Sequence, residues 1–323
     1  LRPTGGFIGS IALMDIDEGI IDNLEVPGGG IYDLAGQLSK KIIAPKPLWL
    51  VNPHWNIQDS NWFPDFPTSA QKLMWFYERA GRTTVDGVIS MTPTVVERLL
   101  AIVGPIDMPG YDIEVTDDNF VYQAQYWAEI GYDREENKPK QFIADLMPKL
   151  MQEIFSAEPQ QAVSMLDALY TSMQQRDVLM YFTDEQGQAA MQELVGDGSL
   201  VPTDGDYLMP VVTNIAGGKT DTAIEQLVKH RADIQADGSI INTVSVIRRH
   251  TGNVLDTWEG QTNVAYIRLY VPSGSELLSV SGQTTIPSFR FQLPDEDAVP
   301  DPDLEQIESD PVVDERTQTR ITT

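Results

Sequence analysis

Apolar and polar positions along the 323-residue chain change rhythm twice. Near the start, two apolar runs, Phe7 to Ile16 and Ile20 to Val26, flank Asp17-Glu18-Gly19, and two such runs around a glycine-containing turn predict a β-hairpin. Pro27-Gly28-Gly29-Gly30 then interrupts the chain, Ile31 to Lys40 accommodates a short helix, and Ala44-Pro45-Lys46-Pro47 reads as extended loop. From residue 68 the period lengthens to that of a helix. Thr68-Ser69-Ala70-Gln71 has the spacing of a capping box, and Ala70, Leu73, Met74 and Tyr77 fall on one face before Gly81. Val85 to Ser90 reads as a buried strand. Thr92-Pro93 supplies an N-cap with proline at the first helical position, and Val96, Leu99, Leu100 and Val103 form the apolar stripe that ends at Gly104-Pro105. Helical periods continue over Asp118 to Ile130, Lys138 to Phe155 (bent or broken near Pro148), Pro159 to Arg176 and Glu185 to Val195, with a strand at Val178 to Phe182.

After about residue 206 helical periodicity fades and β-formers take over. Ala236-Asp237-Gly238 separates two strand-like runs, a hairpin signal. Tyr266, Arg268 and Tyr270 alternate with Ala265, Ile267, Leu269 and Val271, as on a half-buried strand. The succession predicts an α/β fold over residues 1–205, a mixed central sheet with helices on both faces. A smaller β-rich, sandwich-like module follows over 206–293, with the boundary between Gly205 and Thr222. From Pro294 onward Asp, Glu and Pro dominate, so 294–323 is expected to be a disordered acidic tail.

Composition then restricts function. The formal net charge is −26 and the pI about 4.2, a surface that repels phosphate backbones and anionic headgroups and so argues against nucleic acid as a partner. There is no cysteine, which excludes disulfides and thiolate chemistry, and three histidines (His54, His230, His250) are too few for a multi-histidine metal site. No apolar run is long enough to span a bilayer. The chain opens at Leu1, inside what reads as a motif, so we expect a fragment whose membrane anchor lies in a missing upstream part.

The candidate chemistry is concentrated early. Arg2 with Thr4, Gly5 and Gly6 offers a guanidinium clamp and approachable backbone donors for a phosphate; the same string also reads as a glycine turn with Arg2 in an ordinary salt bridge. Asp59 and Asp65, flanking Asn61, can serve as hard oxygen ligands for magnesium or as a base that activates an acceptor hydroxyl; turn and cap chemistry is the alternative. Trp62, Phe63 and Phe66 either fold that loop onto the core or stack against a sugar or lipid. Gly217-Gly218-Lys219-Thr220 has the look of a P-loop end, but Thr213 stands where the first glycine is required. No Gly-x-Ser-x-Gly elbow is present and His54 has no triad partner in sequence, so triad hydrolysis is disfavoured.

Several of these strings carry a resemblance. Leu1-Arg2-Pro3-Thr4-Gly5-Gly6-Phe7-Ile8-Gly9-Ser10, Asp59-Ser60-Asn61-Trp62-Phe63-Pro64-Asp65-Phe66-Pro67 and Asp86-Gly87-Val88-Ile89 resemble, in order, signatures of the family called domain of unknown function 4012. Asn214 to Asp221 and Tyr266-Ile267-Arg268-Leu269-Tyr270-Val271-Pro272 resemble two more. Membership implies an extracytoplasmic protein of the bacterial cell envelope, anchored upstream, and implies no established activity. The order of elements is also distantly similar to the LytR-CpsA-Psr family, which moves glycans from a polyprenyl-pyrophosphate carrier onto the cell wall. That similarity implies a magnesium-dependent phosphotransferase with a lipid-linked or cell-wall glycan as partner, Arg2, Asp59 and Asp65 as catalytic residues, Asp59 and Asp65 on the metal, and Thr4, Asn61, Lys138 and Lys140 as substrate contacts. Two departures stand out: Arg-Pro-Thr-Gly replaces that family's Arg-Ser-Asp-Thr, and lysines replace arginines at 138 and 140. A non-catalytic surface scaffold or adhesion module is the alternative.

Overall fold

The computed structural model of the chain describes residues 4, 6–35, 38, 40–201, 203, 205–215, 218, 220–307, 311–314 and 319–322. The predicted first hairpin forms. Strands β1 (Leu13–Asp17) and β2 (Ile20–Glu25) pair antiparallel, with Asp17 opposite Ile20. Glu18 and Gly19 between them both take positive φ, 49° and 83°, the backbone that a two-residue turn needs if its twist is to match the strands.

Helix α1 (Tyr32–Ala35), strands β3 (Ile42–Ile43) and β4 (His54–Trp55) and helix α2 (Phe66–Arg79) enclose the first core. The Trp55 ring sits edge-on to Phe63 and Phe76, centroids 6.0 and 5.5 Å away, an aromatic geometry that adds to the area buried. Thr68 does not cap α2 as its spacing with Gln71 predicts. Asp65 does, accepting the Thr68 N–H at 3.0 Å and the Thr68 hydroxyl at 2.6 Å, while Gln71 bonds the Tyr181 hydroxyl. A carboxylate one turn earlier outcompetes the hydroxyl, and Pro67 fits the first turn because its missing N–H is not needed there.

The middle of the chain alternates helix and strand. It runs through β5 (Gly87–Met91), α3 (Pro93–Val103), β6 (Ile106–Met108), β7 (Ile113–Val115), α4 (Phe120–Tyr126), a π-helical turn at Trp127–Gly131, α5 (Gln141–Phe155), α6 (Pro159–Gln174), β8 (Val178–Phe182) and α7 (Glu185–Leu194). β5 and β8 pair antiparallel from Gly87–Phe182 to Met91–Val178, and α2 covers them, burying Phe66 and Ala70 against Leu179. A second core gathers Val96 and Leu100 of α3, Phe120 of α4, and Phe142, Leu146 and Leu150 of α5. Those last three recur every four residues, and this stripe carries α5 through Pro148 unbroken although proline removes one backbone bond there.

Four strands follow: β9 (Met209–Asn214), β10 (Ile224–Ile234), β11 (Ile240–His250) and β12 (Ala265–Tyr270). β12 pairs with β9, and Ile215, Val264 and Tyr266 beside them pack on the first core. β10 and β11 form an eleven-pair ribbon from Ile224–His250 to Ile234–Ile240, most of it exposed. The fold is thus a mixture of helix and strand, as expected, and among the described residues its strands pair in seven antiparallel two-stranded ribbons. The last ribbon is β13 (Pro311–Asp314) with β14 (Thr319–Thr322). No helix of the described residues is long and apolar enough to cross a membrane.

Residues 294–307 correct the expectation of a disordered tail. Val299 bridges Ile42 in parallel, helix α8 (Pro302–Ile307) follows, and its Leu304 enters the first core. The Lys72 ammonium, 3% exposed, bonds both Asp301 oxygens at 3.0 and 2.8 Å and Asp303 at 2.6 Å. It also lies over the Trp55 and Trp75 rings. Composition is an average, whereas this segment is ordered by three specific positions and one buried cation. At its start Asp295 pairs with Lys41, and His54 stands 3.6 Å away.

Two outcomes are expected. Lys72→Met strands Asp301 as a buried charge, so urea unfolding should show a loss of about 3–5 kcal/mol and hydrogen exchange should rise across 299–307. The hydrogen bond from Lys41 holds the Asp295 carboxyl below its usual range. Its folded pKa lies under the unfolded value of about 3.9, so its stabilisation is present above that value and is lost as pH falls through the folded one. An NMR titration should place the Asp295 midpoint below that of an unfolded peptide, and Lys41→Met should return it.

Candidate functional site

The N-terminal segment runs beside the loop 57–63 and is tied to it at three points. The Ile8 N–H donates to the Gln58 carbonyl at 3.0 Å, the Thr4 hydroxyl to the Phe63 carbonyl at 3.1 Å, and the Asn61 amide to the Thr4 carbonyl at 2.6 Å. Thr4 and Asn61 are both buried. The structure therefore brings these two expected substrate contacts together, and uses the groups named here to fix the segment's path. The loop takes this course because Ile57, Trp62 and Phe63 anchor it in the first core.

Asp59 ends the single 3-10 turn Ile57–Asp59, half-buried, where α1 packs against that turn. Tyr32 of α1 registers its charge. Burial first, and then the negative charges of Asp59 and Glu129, raise the Tyr32 hydroxyl above its usual pKa, so Tyr32 remains a proton donor at ordinary pH. The Phe7 ring lies 6.4 Å from that of Tyr32. Lys140 also reaches this segment. Its N–H donates to the Gly28 carbonyl at 2.8 Å, and its stem crosses Gly30 so closely that a Cβ there would lie 2.7 Å from Lys140 Cγ. Its ammonium reaches Gly9, 3.9 Å from where a Cβ would stand. Gly30 also takes a positive φ of 68°, so the position requires glycine twice over. Lys138 stays on the rim, its ammonium 3.2 Å from Glu136.

Asp65 does not join this group as a second catalytic or metal-binding carboxylate. Its Oδ2 caps α2 and its Oδ1 accepts the Leu200 N–H at 2.9 Å, so both oxygens are committed to structure. Arg2 lies outside the described residues, as do Gly217 and Lys219 of the glycine-lysine string. Among the described residues no group of three or more His, Asp or Glu side chains is placed to hold a metal. A divalent ion fits here only as one carried by a phosphate ligand with Asp59 as its protein carboxylate, the sparse protein coordination common for magnesium.

Three residues that sequence reasoning assigned no role shape the site. Tyr32 lies two positions after the last glycine of the run 28–30, and that proximity was its only signal. Glu129 sits on the π-helical turn, which no spacing rule predicts. Arg268 is an arginine on the inward face of β12, 7% exposed, legible as a charged residue within a half-buried alternation. Its guanidinium stacks 4.5 Å over Trp62 and donates to the Trp62 carbonyl at 2.9 Å and to the Tyr270 hydroxyl at 3.2 Å. A separate cavity of about 110 Å³, lined by Ile11, Leu13, Leu34, Tyr77, Glu25 and Arg82, falls below the roughly 300 Å³ at which ligand pockets begin.

The site thus presents an ammonium (Lys140), a phenol held protonated (Tyr32) and a half-buried carboxylate (Asp59) around the segment 4–9. Donors of that kind suit an oxyanion and the carboxylate suits a base. No curated protein and no solved structure matches the chain. Residues 1–126, which hold most of these groups, match the family described as protein of unknown function (DUF4012).

Proposed function

We propose that the protein works at the bacterial cell envelope, held there by an upstream anchor, and binds the diphosphate of a polyprenyl-linked glycan beside the segment 4–9, transferring the glycan phosphate to an acceptor hydroxyl. The observation that carries the reading is the convergence of Asp59, Tyr32 and Lys140, which are distant in sequence, on that one segment. In the reaction the acceptor oxygen forms a bond to the glycan-bearing phosphorus. The bridging P–O bond breaks, and polyprenyl phosphate leaves with the electron pair. Asp59 takes the acceptor's proton, while Lys140 and Tyr32 donate to the phosphate oxygens as charge builds on them. Bound magnesium would neutralise part of the diphosphate charge, with Asp59 its protein ligand.

A second reading, a non-catalytic display or adhesion module, draws support from one feature. The β10–β11 ribbon is exposed along most of both strands, with Leu227 and Ile247 opposite one another in the open, as a contact surface would be.

The readings separate in a transfer assay with a polyprenyl-diphosphate disaccharide, scored by release of polyprenyl phosphate. Asp59→Asn should lower the rate at least about 100-fold, the scale of a lost general base, with little change in Tm. Lys140→Gln should chiefly raise KM. Asp65→Ala should leave the rate intact and cost about 1 kcal/mol of stability as a lost cap. Full activity in Asp59→Asn would refute the transferase reading, and an inactive wild-type protein would favour display.

A further inference from the structure

Among the described residues two cations are buried almost completely, Lys72 at 3% and Arg268 at 7% exposure, and the fold treats them differently. Lys72, which fastens the C-terminal segment, has the carboxylates of Asp301 and Asp303. Arg268 pairs with no carboxylate among the described residues. Its partners are a carbonyl, a phenol hydroxyl and the faces of Trp62 and Tyr270, and its buried Nε finds no acceptor. A lone guanidinium removed from water loses more hydration than neutral hydrogen bonds and ring faces return. With 48 acidic residues in the chain, a carboxylate for Arg268 was readily available to a purely structural design.

Neutral donors stand nearby in the same unsatisfied state. Thr213 lies opposite Tyr266 on the β9–β12 ribbon, so it shares a face with Arg268 two positions along, and its hydroxyl is buried without a partner. Tyr266 stacks on Trp62, centroids 6.0 Å apart. Ser60, whose carbonyl takes the Trp62 N–H at 2.8 Å, also has a buried, unpartnered hydroxyl. The Arg268 Nε and two hydroxyls thus gather near Trp62 without a hydrogen-bond partner among the described residues. Tyr270 beside Arg268 is only half-buried, so the ribbon meets solvent there.

We infer that Arg268 is a protein-side cation of a phosphate subsite beside the loop 57–63, with Thr213 and Ser60 as its neutral donors. This rests on the diphosphate reading above and adds to it a second cation besides Lys140. A guanidinium offers donors only, and its in-plane Nε and Nη hydrogens match two phosphate oxygens.

The test uses the wild-type protein. Its Arg268 Nε–H resonance, assigned through the side chain's own carbons, is followed during titration with sodium pyrophosphate, with sodium chloride of equal ionic strength and sodium acetate as separate arms. The expected result is a saturable shift with pyrophosphate alone, and by calorimetry at least tenfold weaker pyrophosphate binding in Arg268→Lys. If pyrophosphate binds but leaves the Arg268 signal unmoved, or Arg268→Lys binds it equally well, the inference fails while the diphosphate reading stands. An equal shift with acetate would make this a carboxylate site and overturn the phosphate assignment. No pyrophosphate binding at all would sink both.

Discussion

An irregular loop rarely enters a protein core, because its peptide groups give up water and no ladder waits to receive them. Residues 60–64 do enter, drawn in by Trp62 and Phe63, and the neighbouring structure is arranged to supply their missing donors. The Phe63 carbonyl takes hydroxyls from Thr4 and Ser69. The Trp62 carbonyl takes a guanidinium from a strand two hundred residues away in sequence. Thr4 in turn receives the Asn61 amide. The position of the N-terminal segment, the seating of β12 and the start of α2 all follow from satisfying this one stretch of backbone.

That constraint explains what was legible beforehand. Elements with a period, such as the stripe Phe142, Leu146, Leu150 of α5 or the alternation of β12, announce themselves because each residue repeats its neighbour's environment. The first hairpin was legible from a glycine at one of the two turn positions that take positive φ. The site was legible only in part. Thr4, Asn61 and Asp59 stood out as polar residues in aromatic or glycine-rich strings, yet whether an aspartate caps a helix or faces a ligand is decided by where the helix begins. Phe66 rather than Thr68 opening α2 is enough to assign Asp65 to the cap. Tyr32, Glu129 and Arg268 depend on contacts between distant segments, and a single sequence does not encode those locally.

The acidic C-terminal segment shows the same limit from the other side. Its mean composition describes a chain too charged to collapse, and that mean hides Val299 and Leu304, which are apolar, and Asp301, whose charge is wanted because Lys72 is already inside. A carboxylate-rich segment can thus be an ordered closing element when a buried ammonium precedes it in the fold.

The β10–β11 ribbon carries a consequence for how copies of this protein meet. With eleven pairs and, among the described residues, only each other as strand partners, its strands leave two long backbone edges open, the arrangement that invites strand addition between molecules. Lys229, Arg231 and Arg249 all lie on its more exposed face. Arg231 pairs there with Asp233 and Arg249 with Glu225, so any chain added at either edge would meet a charged face, a common guard on open strands.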